Sequence, residues 1–537
     1  MAEKEYIVSL KAGVDYDAFW DQIENASADD GFVPTRRVDI INERPGSLRS
    51  CHYSLTNEEA AQLANDPRVY SVEIPPDQRD DIEIGHFAVQ SGTWTKSSSI
   101  SSSDVNWGNI RGIVREDVWG SGTSSIVRDY TYSLTGKGVD VVIQDSGLTI
   151  NHPEFTDANG VSRVVQLDWY AASGLPGTQN VNHYRDYDGH GSHVAGTVAG
   201  KTMGWAKDAA IYSVKVSGLE GSGDATGISI SDCFDVIKLW HRKKNDPNDP
   251  AYTGRPTVVN MSWGYGGTRS TPANGVFRGT PWTFGDVGYT DSTTLWANAG
   301  IVVPLGISRR IPVRVGSVDT DLEELIAEGV HVCIAAGNSY YYIAADGDAD
   351  WNNSAEFSVG QEFYHRGSSP YSTNAFMVGN MDITYQGGLE HKAESSCMGP
   401  GVDIYAPGTE IVSVASKDSG GTCDIVSSGV TAVPSPLDSN YNLMKISGTS
   451  MASPNVCGMV ACVLEANPKM SPAQMKTYVH NNATQDLLYD TGTPSAGSFT
   501  DQDSVHGGPN RIFYLPINSP TPLTTNALSG NFTITKR

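Results

Sequence analysis

Three segments of this 537-residue chain set an acid, a base and a hydroxyl among small residues. Asp145 closes the run Val141-Val142-Ile143-Gln144 and is followed by Ser146-Gly147. A carboxylate there sits at the carboxyl end of a buried parallel strand, where open α/β sheets form their ligand crevice. Taken alone, such an Asp is a turn residue. His190 stands between two glycines in Asp188-Gly189-His190-Gly191-Ser192-His193, just before a small-residue helix beginning Val194-Ala195. The glycines allow a tight turn that leaves the imidazole exposed. Two readings compete: both histidines could ligate a metal with Asp186 and Asp188, or His190 is a general base and His193 is structural. No further His or Cys cluster stands near in sequence, which favours the base, and a neutral imidazole suits proton shuttling.

Ser450, in Ser447-Gly448-Thr449-Ser450-Met451-Ala452-Ser453-Pro454, precedes Ala452–Leu464, which reads as a buried helix. A serine before a helix is ordinarily a cap. The free N–H groups and dipole of a helix N-terminus also favour a developing oxyanion. Asn338, in Ala335-Ala336-Gly337-Asn338-Ser339, follows another buried strand, where its amide could donate to an oxyanion or simply close a turn.

Together the pieces are more specific than any alone. Asp, then His, then Ser along the chain is the order found in subtilisin. The three segments around Asp145, His190 and Ser450 resemble the signature motifs of the subtilase family, over about Asn106 to Leu488. The resemblance is closer to the proteinase K-like branch, because Lys201-Thr202-Met203-Gly204-Trp205-Ala206 follows the His helix directly. It implies an α/β, subtilisin-like three-layer fold: a parallel sheet flanked by helices, preceded by a small α+β ferredoxin-like propeptide domain. It also implies a serine endopeptidase with Ser450 as nucleophile, His190 as general base and then acid, Asp145 orienting the imidazole, and Asn338 in the oxyanion hole. Gly221, Ser222, Gly223 and Ser262, Trp263, Gly264 match the two segments that line the family's cleft. Their backbone groups would pair with an extended substrate as added strands. Trp263 stands where a smaller aliphatic residue is common, which alters the primary specificity pocket. No cofactor is required for the chemistry; a structural calcium is implied near Pro370 and Asp403, in surroundings that differ from the family's.

The elements that must position these groups are legible as alternating strands and helices. Val139–Ile143, Ala210–Val216, Thr257–Met261 and Val330–Ala335 are short β-branched runs, as in a parallel sheet covered on both faces. The first 80 or so residues form a unit in β-α-β-β-α-β order, with Thr56-Asn57-Glu58-Glu59 as a capping box. They are similar to the family's inhibitory propeptides. Residues 81–105 include a serine-rich run, Ser97–Ser103, and read as a linker holding the maturation site. Residues 265–320, rich in Gly, Thr and Pro, read as a long surface insertion, and 516–537 as a polar tail.

Composition bounds the partners. Lys and Arg number 37 against 61 Asp and Glu, a net charge of -24, which argues against nucleic acid or an anionic membrane. Polypeptide substrates and the chain's own propeptide, in cis or in trans, are the expected partners. No run reaches the roughly 18 apolar residues of a membrane span, and Met1–Tyr6 lacks an apolar signal region. Cytoplasmic synthesis is expected, with release or virion association left open. Seven scattered cysteines without a CxxC pair read as buried thiols. Two rivals remain: a virion- or assembly-associated structural protein that keeps a subtilase domain, and a peptide ligase on the same triad.

Overall fold

The computed structural model describes residues 3–11, 13–26, 31–42, 50–75, 88–95, 106–119, 125–220, 225–230, 232–302, 309–417, 430 and 432–516. The chain divides into two compact units between His86 and Phe87.

The N-terminal unit contains β1 (Lys4–Leu10), α1 (Tyr16–Asn25), β2 (Ile40–Asn42), β3 (Ser50–Leu55), α2 (Asn57–Leu63) and β4 (Val69–Glu73). Its sheet order is β2-β3-β1-β4 with every pairing antiparallel, the ferredoxin-like arrangement read from the pattern. Alternation buries Val8 and Leu10 of β1 against Tyr53 and Leu55 of β3, while Phe19 and Ile23 turn the same face of α1 inward. Asp15 caps α1 by accepting from the Ala18 N–H, and the Thr56/Glu59 capping box opens α2 as expected.

The second unit starts with β5 (Ala88–Thr95) and β6 (Ser125–Tyr132), paired antiparallel along their whole length. Part of the segment read as linker is therefore a strand. Gln90-Ser91-Gly92-Thr93 carries no apolar alternation, so only the backbone pairing reveals it.

Three strands next form the heart of the main sheet: β7 (Asp140–Asp145), β8 (Ala210–Lys215) and β9 (Thr257–Met261). Beyond them come β10 (Gly266–Arg269), β11 (Asn274–Phe277), β12 (Thr280–Thr283), β13 (Arg309–Pro312), β14 (His331–Ala335), β15 (Ser354–Phe357), β16 (Gly360–Phe363), β17 (Phe376–Gln386), β18 (Leu389–Lys392) and β19 (Ile404–Pro407). The last are β20 (Ile411–Ala415), β21 (Ala432–Pro434), β22 (Asn442–Ile446), β23 (Thr484–Gln485) and β24 (Arg511–Ile512).

The main sheet runs β23-β24-β19-β17-β14-β9-β7-β8, parallel from β24 to β8, with β18 antiparallel against β17. Strands β7, β9 and β14 are buried at every residue, because helices cover both faces. The helices His190–Ala199 and Thr449–Ala466 pack on each other, and the second also packs on β9, β14 and β17. This is the subtilisin-like α/β fold.

The described residues of 265–320 are woven into the unit rather than laid on its surface. Strand β10 pairs with β13, β11 pairs with β12 and β15, and Leu295, Ala299, Ile301 and Ile311 are fully buried. These apolar residues are spaced too widely among Gly, Thr and Pro to make a periodic signal. Among the described residues no helix is long and apolar enough to cross a membrane. The six described cysteines are buried and free, as read; Cys423 lies outside the described residues.

Candidate active site

Because β7, β9 and β14 are parallel neighbours, their carboxyl ends share one edge, and each delivers a site residue there. Asp145 ends β7, Ser262 follows β9, and Asn338 follows β14. Asp145 is 1% exposed and accepts from the Ser146 N–H at 2.8 Å through Oδ1. The same oxygen accepts from His190 Nδ1 at 2.8 Å. That bond fixes the ring so that Nε2 is the nitrogen left to exchange a proton.

Asp186, fully buried, holds the turn in front of His190. Its Oδ1 accepts from Ser146 Oγ at 2.9 Å and from the Gly189 N–H at 2.8 Å, and its Oδ2 accepts from the Ser192 N–H at 2.7 Å. Gly191 has no room for a side chain: a Cβ there would lie 2.3 Å from the Gly147 carbonyl oxygen. Burial works to lower the His190 pKa, but the charge and hydrogen bond of Asp145, with Asp188 and Asp186 behind, raise it to about 9. His193 is fully buried, donates through Nε2 to the Ile411 carbonyl at 3.1 Å, and is pushed down to about 3 by burial. The two histidines of the motif therefore do different work. Asp186 and Asp188 brace the turn, and among the described residues no group of three or more His, Cys, Asp and Glu is placed to hold a metal.

Ser450 sits in the first turn of the helix Thr449–Ala466, after Gly448, whose φ of 153° favours glycine. Pro454 lies one turn later and has no N–H for the Ser450 carbonyl. Ser262 Oγ supplies the missing donor at 2.9 Å, and Ser450 Oγ donates back to the Ser262 carbonyl at 3.1 Å. Among the described residues no hydrogen bond joins Ser450 to His190; such bonds are often loose before substrate arrives.

Asn338 is oriented by Thr449. Its Oδ1 accepts from both the Thr449 N–H and Oγ1 at 2.9 Å, while Thr449 Oγ1 accepts from the Gly337 N–H at 3.2 Å. With its carbonyl so held, the Asn338 amide Nδ2 has no partner among the described residues, and neither does the Ser450 N–H. Two donors are thus open at a helix N-terminus beside the hydroxyl.

A cavity of about 220 Å³ adjoins Ser450, walled by Ser262–Gly266, Ala335–Ser339 and Cys397, with Pro312 of β13 at one side. Trp263 lines it, its ring 6.0 Å from that of Tyr265. No lining residue is charged. Among the described residues no hydrogen bond uses the backbone groups of Trp263 or Gly264, so that edge is open to an added strand. Gly221, Ser222 and Gly223 lie outside the described residues.

The resemblance also implied calcium near Pro370 and Asp403. Both Asp403 oxygens face nitrogen instead: Lys476 Nζ lies 3.2 Å from Oδ1, and His480 Nε2 3.0 Å from Oδ2. Calcium takes six to eight oxygen ligands, so a carboxylate already held by an ammonium and an imidazole does not fit it.

The family model described as the subtilase family matches residues 136–513, which include every residue of this site. The chain belongs to the subtilase family. An extracellular serine proteinase of Thermus sp. (strain Rt41A) is 26% identical over 481 residues, covering 89% of this chain and 78% of that protein. A subtilisin-like protease 8 of Arthroderma benhamiae is 26% identical over 423 residues, covering 75% of this chain and 63% of that protein. The subtilase thus spans less than two thirds of this second relative. A solved cold adapted subtilisin-like serine proteinase aligns with a TM-score of 0.43 at 24% identity, over 78% of this chain and 98% of that one. As a subtilase the chain is a serine-type endopeptidase, a class whose substrates are polypeptides.

Asp186 as brace, Thr449 as the holder of Asn338, and Pro312 as a cavity wall were not singled out from the sequence. The first stood beside His190 as a metal candidate. The third is signalled by nothing local.

Proposed function

We propose that the chain hydrolyses peptide bonds through an acyl-enzyme, using Asp145, His190 and Ser450 as its triad. Ser450 Oγ attacks the carbonyl while His190 Nε2 takes its proton. Asp145 stabilises the imidazolium, and the Ser450 N–H and Asn338 Nδ2 bind the oxyanion. His190 then protonates the leaving amine, and water releases the acyl group. The observation that carries the reading is the pair of unpartnered donors beside a histidine already oriented by Asp145. The uncharged cavity beside Ser450 suits an uncharged side chain on the acyl side of the scissile bond.

The N-terminal unit acts as an inhibitory propeptide that the enzyme removes from itself. Cleavage falls between about Ile84 and Ser103. Ala88–Thr95 is paired along its length and a poor substrate, so the cut lies on either flank of it, outside the described residues.

The test compares wild type with Ser450→Ala by intact mass and by digestion of an unfolded protein. Wild type loses roughly its first 85 to 105 residues and digests the substrate. Ser450→Ala stays full-length and inert. If both stay intact and inactive, the chain is a scaffold that keeps a subtilase domain, and the triad assignment falls.

A further inference from the structure

A second cavity, of about 410 Å³, opens on the other side of Asn338. It is bounded by Ser447 and Gly448, which lead into Ser450, and by Tyr340, Asn380, Asp382 and Glu394. Asn338 is the one residue it shares with the uncharged cavity. If Asn338 binds the scissile carbonyl, the two cavities flank that carbonyl. The first borders the Trp263–Gly264 edge that would pair with the acyl side, so the second receives the chain that leaves.

Its two charged lining residues are both carboxylates. Asp382 is half-buried and Glu394 exposed, no lining residue is basic, and among the described residues neither carboxylate pairs with a base. Asp382 Oδ2 accepts only a local bond from Thr384 Oγ1, at 2.7 Å. Asn380, 1% exposed, donates through Nδ2 to Thr409 Oγ1 at 3.3 Å, yet its buried Oδ1 has no donor. That oxygen faces Gly408, where a Cβ would lie 2.5 Å from it, so Asn380 is a fixed part of the wall and not a partner for what enters. Tyr340 adds an aromatic wall. It holds the left-handed region at φ 64°, and its N–H donates to the Ser395 carbonyl at 3.0 Å, tying that wall to the Glu394 segment. A non-glycine residue kept at positive φ marks a conformation that the surroundings impose.

We propose that this cavity selects lysine or arginine in the one or two residues following the scissile bond. The inference rests on the endopeptidase reading above. Two carboxylates with no basic residue beside them in the lining complement a cation, and a tyrosine ring accommodates both its charge and its aliphatic stem. Glutamate in the same place meets two like charges.

The experiment uses the full chain and internally quenched peptides that share one acyl side and carry Lys-Lys, Gln-Gln or Glu-Glu after the cleavage site. At low salt, kcat/KM for Lys-Lys exceeds that for Glu-Glu by about tenfold, as expected for partly exposed charges, and the ratio shrinks with added NaCl. In the Asp382→Asn/Glu394→Gln variant the ratio falls toward one. Equal cleavage of both peptides by wild type, or a ratio that survives in the double variant, overturns the proposal. Binding of the same peptides, fluorescently labelled, to Ser450→Ala separates the two readings. If wild type cleaves nothing, the endopeptidase reading fails. Tighter binding of Lys-Lys, lost when the two carboxylates are also removed, then still sustains the cavity's preference, and equal binding sinks it.

Discussion

The two cavities that meet at Asn338 are built from different materials. One is walled by strand ends, glycines and uncharged side chains, with the backbone groups of Trp263 and Gly264 left open. The other carries a tyrosine ring from the segment after β14 and two carboxylates, one from β17 and one from the turn after β18. On the first side, recognition comes from main-chain pairing and shape, which any extended peptide satisfies. On the second it comes from charge, which only some residues satisfy and which salt weakens. Asn338 belongs to both and should serve neither in particular if, as proposed, its amide donates to the carbonyl between them. Damage at Asn338 should therefore slow every substrate alike, while damage within one cavity should change only the choice among substrates.

The largest effect expected follows from that division. Asn338→Leu removes the donor proposed for the oxyanion while keeping the side chain's bulk, and kcat should fall by about 100- to 1000-fold, the loss measured for the equivalent kind of donor in subtilisin. KM should change little, since the bond matters only in the transition state, and the fall should be the same for Lys-Lys and Glu-Glu peptides. A loss confined to KM, or one that differs between the peptides, would place Asn338 in ground-state binding instead.

The pH profile has the next largest effect. Burial opposes the charge on His190, but Asp145, Asp188 and Asp186 outweigh it and hold the pKa near 9. The base must be neutral, so kcat/KM should rise about tenfold per pH unit from neutrality and level off near pH 9. The stability linkage runs the other way. Protonated His190 favours the folded state below its unfolded pKa of about 6.5, and that contribution disappears as pH climbs through about 9. Asp188→Asn removes one of the charges that raise the pKa, so the profile should move to lower pH and the variant should be a few-fold faster at pH 7. A profile flat between pH 7 and 9, or one that Asp188→Asn leaves in place, contradicts this account of the His190 environment.

The positions proposed for the triad stand out in the sequence because each sits in a local run whose small residues the backbone demands. Gly191 leaves no space for a Cβ, Gly448 needs a left-handed φ, and Pro454 frees the carbonyl that Ser262 then takes. Such constraints leave a mark within a few residues. The acidic cavity leaves none. Asp382 lies in a strand whose alternation speaks only of burial, Glu394 follows a hairpin, and Asn380 reads as an interior polar residue. Only the parallel pairing of β14 with β17 and the return of β18 bring them together. The β10–β13 ribbon escaped notice for the same reason, since its Pro312 reaches the uncharged cavity through a pairing between segments some forty residues apart.

The smallest effect should come from narrowing the uncharged cavity alone. Gly264 faces Ser368, and a Cβ added there would lie 2.7 Å from the Ser368 Oγ, so Gly264→Ala must push that hydroxyl or the cavity wall aside. The clash meets a side chain rather than backbone, so the wall should yield at modest cost. The kcat/KM ratio between peptides with phenylalanine and with alanine on the acyl side should then drop by about fivefold, in line with one to two methylenes of lost space. The Lys-Lys to Glu-Glu ratio should keep its wild-type value, because none of its acceptors touches Gly264. If Gly264→Ala shifts both ratios together, the two cavities are coupled through the strand ends, and a division of labour at Asn338 is the wrong description.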